Sequence, residues 1–177
     1  MAPYIKGAPL GLAAFAVLGL AGPATADDAK IARGRYLVSI AGCSDCHTPG
    51  GMLGSPDMKR YLGGSDVGFS IPDQGVFVGQ NLTSDMGTGL GKWTDEQIVT
   101  AIRKGKTPDG AELSGVMPYN SFANLTDEDA FAIAAFLKSL PPVNNKVVSY
   151  KPGENVPIAV SAVLPPGVYN ALPASQK

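Results

Sequence analysis

With 177 residues, 14 basic and 15 acidic side chains and a formal net charge of −1, the chain carries neither the basic excess that nucleic acid requires nor a strong steering field for any partner. Two cysteines make a thin disulfide framework, and with one histidine they fall short of the four ligands of a structural zinc site. The length suits one domain with a sizeable core.

The first stretch reads as a secretory leader. Lys6 precedes an apolar run from Leu10 to Leu20, and Ala24-Thr25-Ala26 followed by Asp27-Asp28 has the small-residue pattern of a cleavage site after Ala26. The run is about half the ~20 residues a membrane-spanning helix needs, and Pro9 and Pro23 bracket it, so no transmembrane anchor is expected after cleavage. Residues 1–26 are thus expected to be a signal peptide, 27–142 a single domain and 143–177 a Pro-rich extension, with export placing the product in the periplasm. Loss of the leader removes one Lys and no acid, taking the charge from −1 to −2.

In chain order, Asp27 or Asp28 is expected to cap a helix running to about Ala41, with Ile31, Leu37, Val38 and Ala41 as its apolar stripe. Gly34 inside that helix predicts the close approach of another helix, since glycine there costs about 1 kcal/mol against alanine. From Thr48 to Gly91 the sequence holds eleven of the 22 glycines and no sustained apolar period. It reads as loops with two short extended pieces, near Gly68 to Ile71 and Val76 to Val78. So long a loop region inside a compact domain calls for a function, and wrapping a flat cofactor would supply one.

Thr94 with Gln97 forms a capping box for a helix ending near Gly105. The basic run Arg103-Lys104-Gly105-Lys106 there is either an ordinary basic helix end or a docking patch for an acidic partner. Thr107 to Asn124 reads as loop and contains Met117-Pro118-Tyr119. Thr126, with Asp127, Glu128 and Asp129 behind it, caps the strongest helix of the sequence, which Pro141-Pro142 stops. That helix is the candidate to pack across Gly34. Residues 141–177 hold seven of the 15 prolines, and Val156, Ile158, Val160, Val163 and Leu164 favour a tail docked over the domain.

Chemistry concentrates in Cys43-Ser44-Asp45-Cys46-His47, which holds both cysteines and the sole histidine. Cys-x-x-Cys-His is the attachment signature of a c-type haem: each thiol adds to a vinyl group and the adjacent imidazole ligates the iron. A thioredoxin-type dithiol would need a strand leading in and a helix starting at the motif, whereas here a helix leads in. A structural disulfide between Cys43 and Cys46 leaves His47 unexplained. The second ring nitrogen of His47 should donate to a carbonyl, with Pro56 or a nearby loop residue as acceptor. The sixth ligand must be a methionine sulfur or be missing. Met52 is too near His47 in the chain to reach the far face, Met58 and Met86 are alternatives, and Met117, in a loop stiffened by Pro118, is the leading candidate.

Gly34-Arg35-Tyr36-Leu37, the Cys43–His47 motif, Asn81-Leu82-Thr83-Ser84-Asp85, Thr88-Gly89-Leu90-Gly91-Lys92-Trp93-Thr94-Asp95 and Met117-Pro118-Tyr119 with Phe122 together resemble the class I c-type cytochromes. More narrowly they are similar to the haem-c modules of cytochrome subunits that serve periplasmic dehydrogenases. The resemblance covers about residues 30–142. It implies an all-α class I cytochrome c fold with long haem-wrapping loops, the first and last helices crossing near one covalently bound haem c, and His47 and Met117 as axial ligands. It also implies that Trp93 and Asn81 lie near the propionates or the pocket wall. The expected function is single-electron transfer by Fe(III)/Fe(II) cycling, from a dehydrogenase to a downstream oxidase or cytochrome, without catalysis of its own. The alternative is a haem enzyme or gas sensor with an open or labile sixth position.

Overall fold

The computed structural model describes residues 25–71, 73–154 and 156. The leader expected over residues 1–26 therefore lies almost wholly outside the described residues, as do Ile158, Val160, Val163 and Leu164 of the tail. Among the described residues there are five α-helices, α1 (Ala26–Ile40), α2 (Cys43–His47), α3 (Asp95–Lys104), α4 (Tyr119–Phe122) and α5 (Asp127–Ser139), and two single 3-10 turns, Gly51–Leu53 and Met58–Arg60. Strands β1 (Gly68–Ile71) and β2 (Gly75–Val78) form an antiparallel hairpin with Phe69 opposite Phe77, where two short extended pieces were expected. Among the described residues no helix is long and apolar enough to cross a membrane.

The cap of α1 differs from expectation. Thr25, not Asp27 or Asp28, is the N-cap, and it forms a capping box in which its hydroxyl accepts from the Asp28 amide while the Asp28 carboxylate accepts from the Thr25 amide. Thr-x-x-Asp offers both bonds at once, whereas an aspartate cap alone offers one. At Thr94 and Gln97 the expected box is present, and α3 stops on Gly105 with φ of +64°.

α1 and α5 cross at Gly34. A side chain there would overlap the Ala132 carbonyl oxygen and lie 2.8 Å from Phe136 Cβ, so hydrogen at this position lets the two backbones approach. Arg33 spans the crossing with two hydrogen bonds to Asp129, at 2.8 and 3.1 Å. Around this contact Leu37, Val38, Leu62, Leu90, Ile98, Ile133, Phe136 and Leu137 make the core, and α3 leans on it through Ile98 and Ala101. Lys138 reaches from α5 to the Gly91 and Trp93 carbonyls, at 3.0 and 2.9 Å, pinning the loop before α3.

The region expected as loop from Thr107 to Asn124 contains α4. Four residues are too few to register as a helical period; Pro118 stands at its N-cap, and its carbonyl accepts from the Ser121 and Phe122 amides. After α5 the chain is extended, and residues 143, 145 and 147 turn inward while 144, 146 and 148 are exposed.

Candidate cofactor site

α1 is capped at Ala41, and the left-handed conformation of Gly42 turns the chain into α2. Within α2 the spacing i, i+3, i+4 puts Cys43, Cys46 and His47 on one face, and both thiols are free. A helix thus does begin at Cys43, as a dithiol reading requires, but α1 and a glycine turn lead into it instead of a strand. Burial pushes the Cys43 thiol up to about 11, and burial reinforced by Asp45 pushes Cys46 up. Both are therefore protonated at neutral pH, opposite to the lowered values of nucleophilic dithiols.

His47 Nδ1 donates to the Gln80 carbonyl at 2.7 Å. The acceptor is Gln80, not Pro56. Burial lowers the imidazole below its ordinary value and the Gln80 carbonyl opposes that. The neutral ring, with one nitrogen engaged, keeps Nε2 available as a ligand. The loop bearing Gln80 reaches α2 because residue 79 is glycine: a Cβ there would overlap the Cys46 carbonyl oxygen and come within 3.4 Å of His47 Nδ1. On the other side, the fully buried Thr48 hydroxyl accepts from the Leu62 amide at 2.9 Å, and the Gly64 amide donates to the His47 carbonyl at 2.8 Å. His47 is thus held between two loops, around residues 62–65 and 78–82. These loops are joined to each other by Ser65 N–H to Gly79 O and Leu82 N–H to Leu62 O, both 2.8 Å.

Cys43, Cys46, His47 and Met117 all line one largely apolar cavity of about 610 Å³, well within the size of a cofactor site. Its walls come from α1, α2, the β-hairpin, α3, α5 and the loop before α4. Phe69, Phe77, Trp93 and Asn81 belong to them, so the pocket-wall position expected for Trp93 and Asn81 is observed. The loop bearing Met117 is tied down at both ends. The Leu113 amide donates to the Gly105 carbonyl at 2.8 Å, and Tyr119, bonded to the Met117 carbonyl at 2.8 Å, lays its ring against Gly105. Met58 and Met86 are 65% and 60% exposed and do not line the cavity. Met52, 42% exposed, has its sulfur 3.9 Å from Cys46 Sγ, on the side of the thiols.

Two thiols and an imidazole on one face, a thioether on a separate loop and an apolar space bounded by both fit a haem. Cys43 and Cys46 could bind it covalently, and His47 and Met117 could ligate its iron. Sequence reasoning missed Gln80 and the glycine that brings it close. Gly79 followed by Gln80 and Asn81 was a visible signal only in that a glycine outside a turn implies backbone contact.

Comparison with known proteins agrees. The cytochrome c family model matches residues 31–141. The cytochrome c subunit of a quinone alcohol dehydrogenase from Gluconobacter oxydans is 38% identical over 129 residues, covering 73% of this chain and 25% of that protein. A fructose dehydrogenase cytochrome subunit from Gluconobacter japonicus is 37% identical, covering 65% and 22% respectively. The gluconate 2-dehydrogenase cytochrome c subunit of Pantoea cypripedii is 34% identical, covering 76% and 28%. The chain spans about a quarter of the length of these relatives.

Proposed function

This chain belongs to the cytochrome c family, and from that premise we propose that it is a one-haem electron-transfer protein of the periplasm. In this reading it takes electrons from a dehydrogenase and delivers them to an oxidase or another cytochrome. The observation that carries the reading is the common cavity of Cys43, Cys46, His47 and Met117. The haem, when bound, supplies one-electron exchange between Fe(III) and Fe(II). Cys43 and Cys46 would tether it through thioethers, which leaves neither sulfur available as a redox dithiol. His47 donates to Gln80 through Nδ1 and would present Nε2 to the iron, and the Met117 sulfur, which lines the same cavity, would be its other protein ligand, leaving no place for a substrate. A thioether at that position favours the reduced state, and the apolar walls limit access of water. The dehydrogenase subunits named above are similar to this chain, which supports a dehydrogenase as donor. Export with removal of residues 1–26 supplies the compartment.

A pyridine haemochrome spectrum is expected to report thioether-linked haem. The oxidised protein is expected to carry the weak far-red charge-transfer band of methionine sulfur on ferric haem. Met117→Ala should abolish that band and let the reduced protein bind carbon monoxide. A band that survives the substitution assigns the sulfur to another methionine. Rapid carbon monoxide binding by the unmodified reduced protein points to a haem enzyme or gas sensor.

A further inference from the structure

We propose that residues 143–150, the extended segment after α5, form a strap that sets the Gln80 carbonyl and thereby the orientation and basicity of the His47 ring. The proposal rests on the reading of His47 as an iron ligand.

The strap grips both loops that hold His47. At its start the Val143 carbonyl accepts from Asn81 Nδ2 at 2.7 Å, and the Val143 amide donates to Thr83 Oγ1 at 3.1 Å. Asn81 is buried, and its Oδ1 accepts from both the amide and the hydroxyl of Thr83, so the residue after Gln80 is fixed by a closed set of bonds. In the middle Asn145 Nδ2 donates to the Gly63 carbonyl at 2.8 Å, one residue before the amide that bonds the His47 carbonyl. The side chains of Val143 and Val147 occupy the space that a Cβ at Gly63 or Gly64 would need. At the far end Val76 and Tyr150 exchange two backbone bonds of 2.9 Å. Ser149 Oγ accepts from the Val78 amide at 3.3 Å and from Gln80 Nε2 at 3.4 Å.

The backbone is therefore held by the strap on both sides of Gln80. The donor–acceptor pair at His47 is short, and an imidazole that gives its second proton to a fixed acceptor is the more basic ligand. A carbonyl left free to move away would weaken that donation, favour Fe(II) and raise the reduction potential. The strap residues are positioning residues: Val143, Asn145 and Tyr150 act on His47 only through the loops they hold.

The test uses the full-length haem protein with Tyr150→Pro, which lacks the amide hydrogen bonded to Val76, Asn145→Ala, and the mild Ser149→Ala. Phe131→Ala on α5 serves as a destabilised control away from the strap. The readouts are exchange of the His47 Nδ1 proton in the reduced state and the reduction potential. At least about tenfold faster exchange is expected for Tyr150→Pro and Asn145→Ala, with a smaller change for Ser149→Ala, a raised potential in each, and neither effect in Phe131→Ala. Unchanged exchange and potential in the strap variants, or the same change in the control, overturns the proposal. A wild-type pyridine haemochrome without thioether-linked haem instead defeats the reading of His47 on which it rests.

Discussion

The α1–α5 crossing and the two-loop shell around His47 solve the same problem, close approach of backbones at a glycine, by different physics. At the crossing, Gly34 lets Ala132 in and the contact is held by burial of Leu37, Val38, Ile133 and Phe136. At the shell, Gly79 lets the Gln80 loop reach α2. There the contact is held by side-chain amides and hydroxyls bonded to backbone: Asn81, Thr83, Thr88 and Asn145. Apolar burial is non-directional and fixes how much the helices stick. Polar bonds to backbone fix where an atom lies, which is what a ligand-orienting carbonyl needs.

Substitutions on the two sides should separate these roles. Gly34→Ala places a methyl on the Ala132 carbonyl and on Phe136, and overpacking of this kind costs about 3 kcal/mol. A large drop in the denaturation midpoint is expected, with the His47 signature of any molecules that remain folded unchanged. Asn81→Ala is expected to be next, at about 2 kcal/mol, because the buried amide and hydroxyl of Thr83 lose their acceptor and the Val143 carbonyl its shortest donor. Unlike Gly34→Ala, it should also raise the reduction potential through Gln80. Finding a raised potential in Gly34→Ala, or none in Asn81→Ala, would erase the distinction between the two regions.

The same division decides what could be read from sequence. Helices α3 and α5, the box at Thr94 and Gln97, and the crossing at Gly34 were legible, because caps and apolar periods act within a few residues of chain. The motif Cys43–His47 was legible because its spacing carries the chemistry. The Gln80 acceptor lies 33 residues from His47, and the strap contacts Asn81 and Gly63 from 62 and 82 residues away. Single polar bonds between irregular segments leave no periodic trace. Thr25 was not read as a cap for another reason: Ala-Thr-Ala satisfies a cleavage pattern and Thr-x-x-Asp a capping box at once. Cleavage after Ala26 would remove the hydroxyl cap seen on α1.

The smallest expected effect lies in the ion pair that, among the described residues, spans the crossing. The hydrogen bond and charge of Arg33 hold the Asp129 carboxyl below its ordinary value of 3.8. A carboxyl with a lowered folded-state pKa contributes stability that is fully present above 3.8 and is lost as pH falls through the lower folded value. Both side chains are partly solvated, so screening keeps the contribution small. Asp129→Asn should therefore melt slightly below the wild type at neutral pH and in low salt, and the gap should close as the pH drops below 3.8. In the shell, Asp85, held low by the Thr88 hydroxyl and amide, should keep its own acid response in that variant. A gap between wild type and Asp129→Asn that persists unchanged in acid would mean that the carboxylate charge contributes nothing to the crossing, leaving it to packing alone.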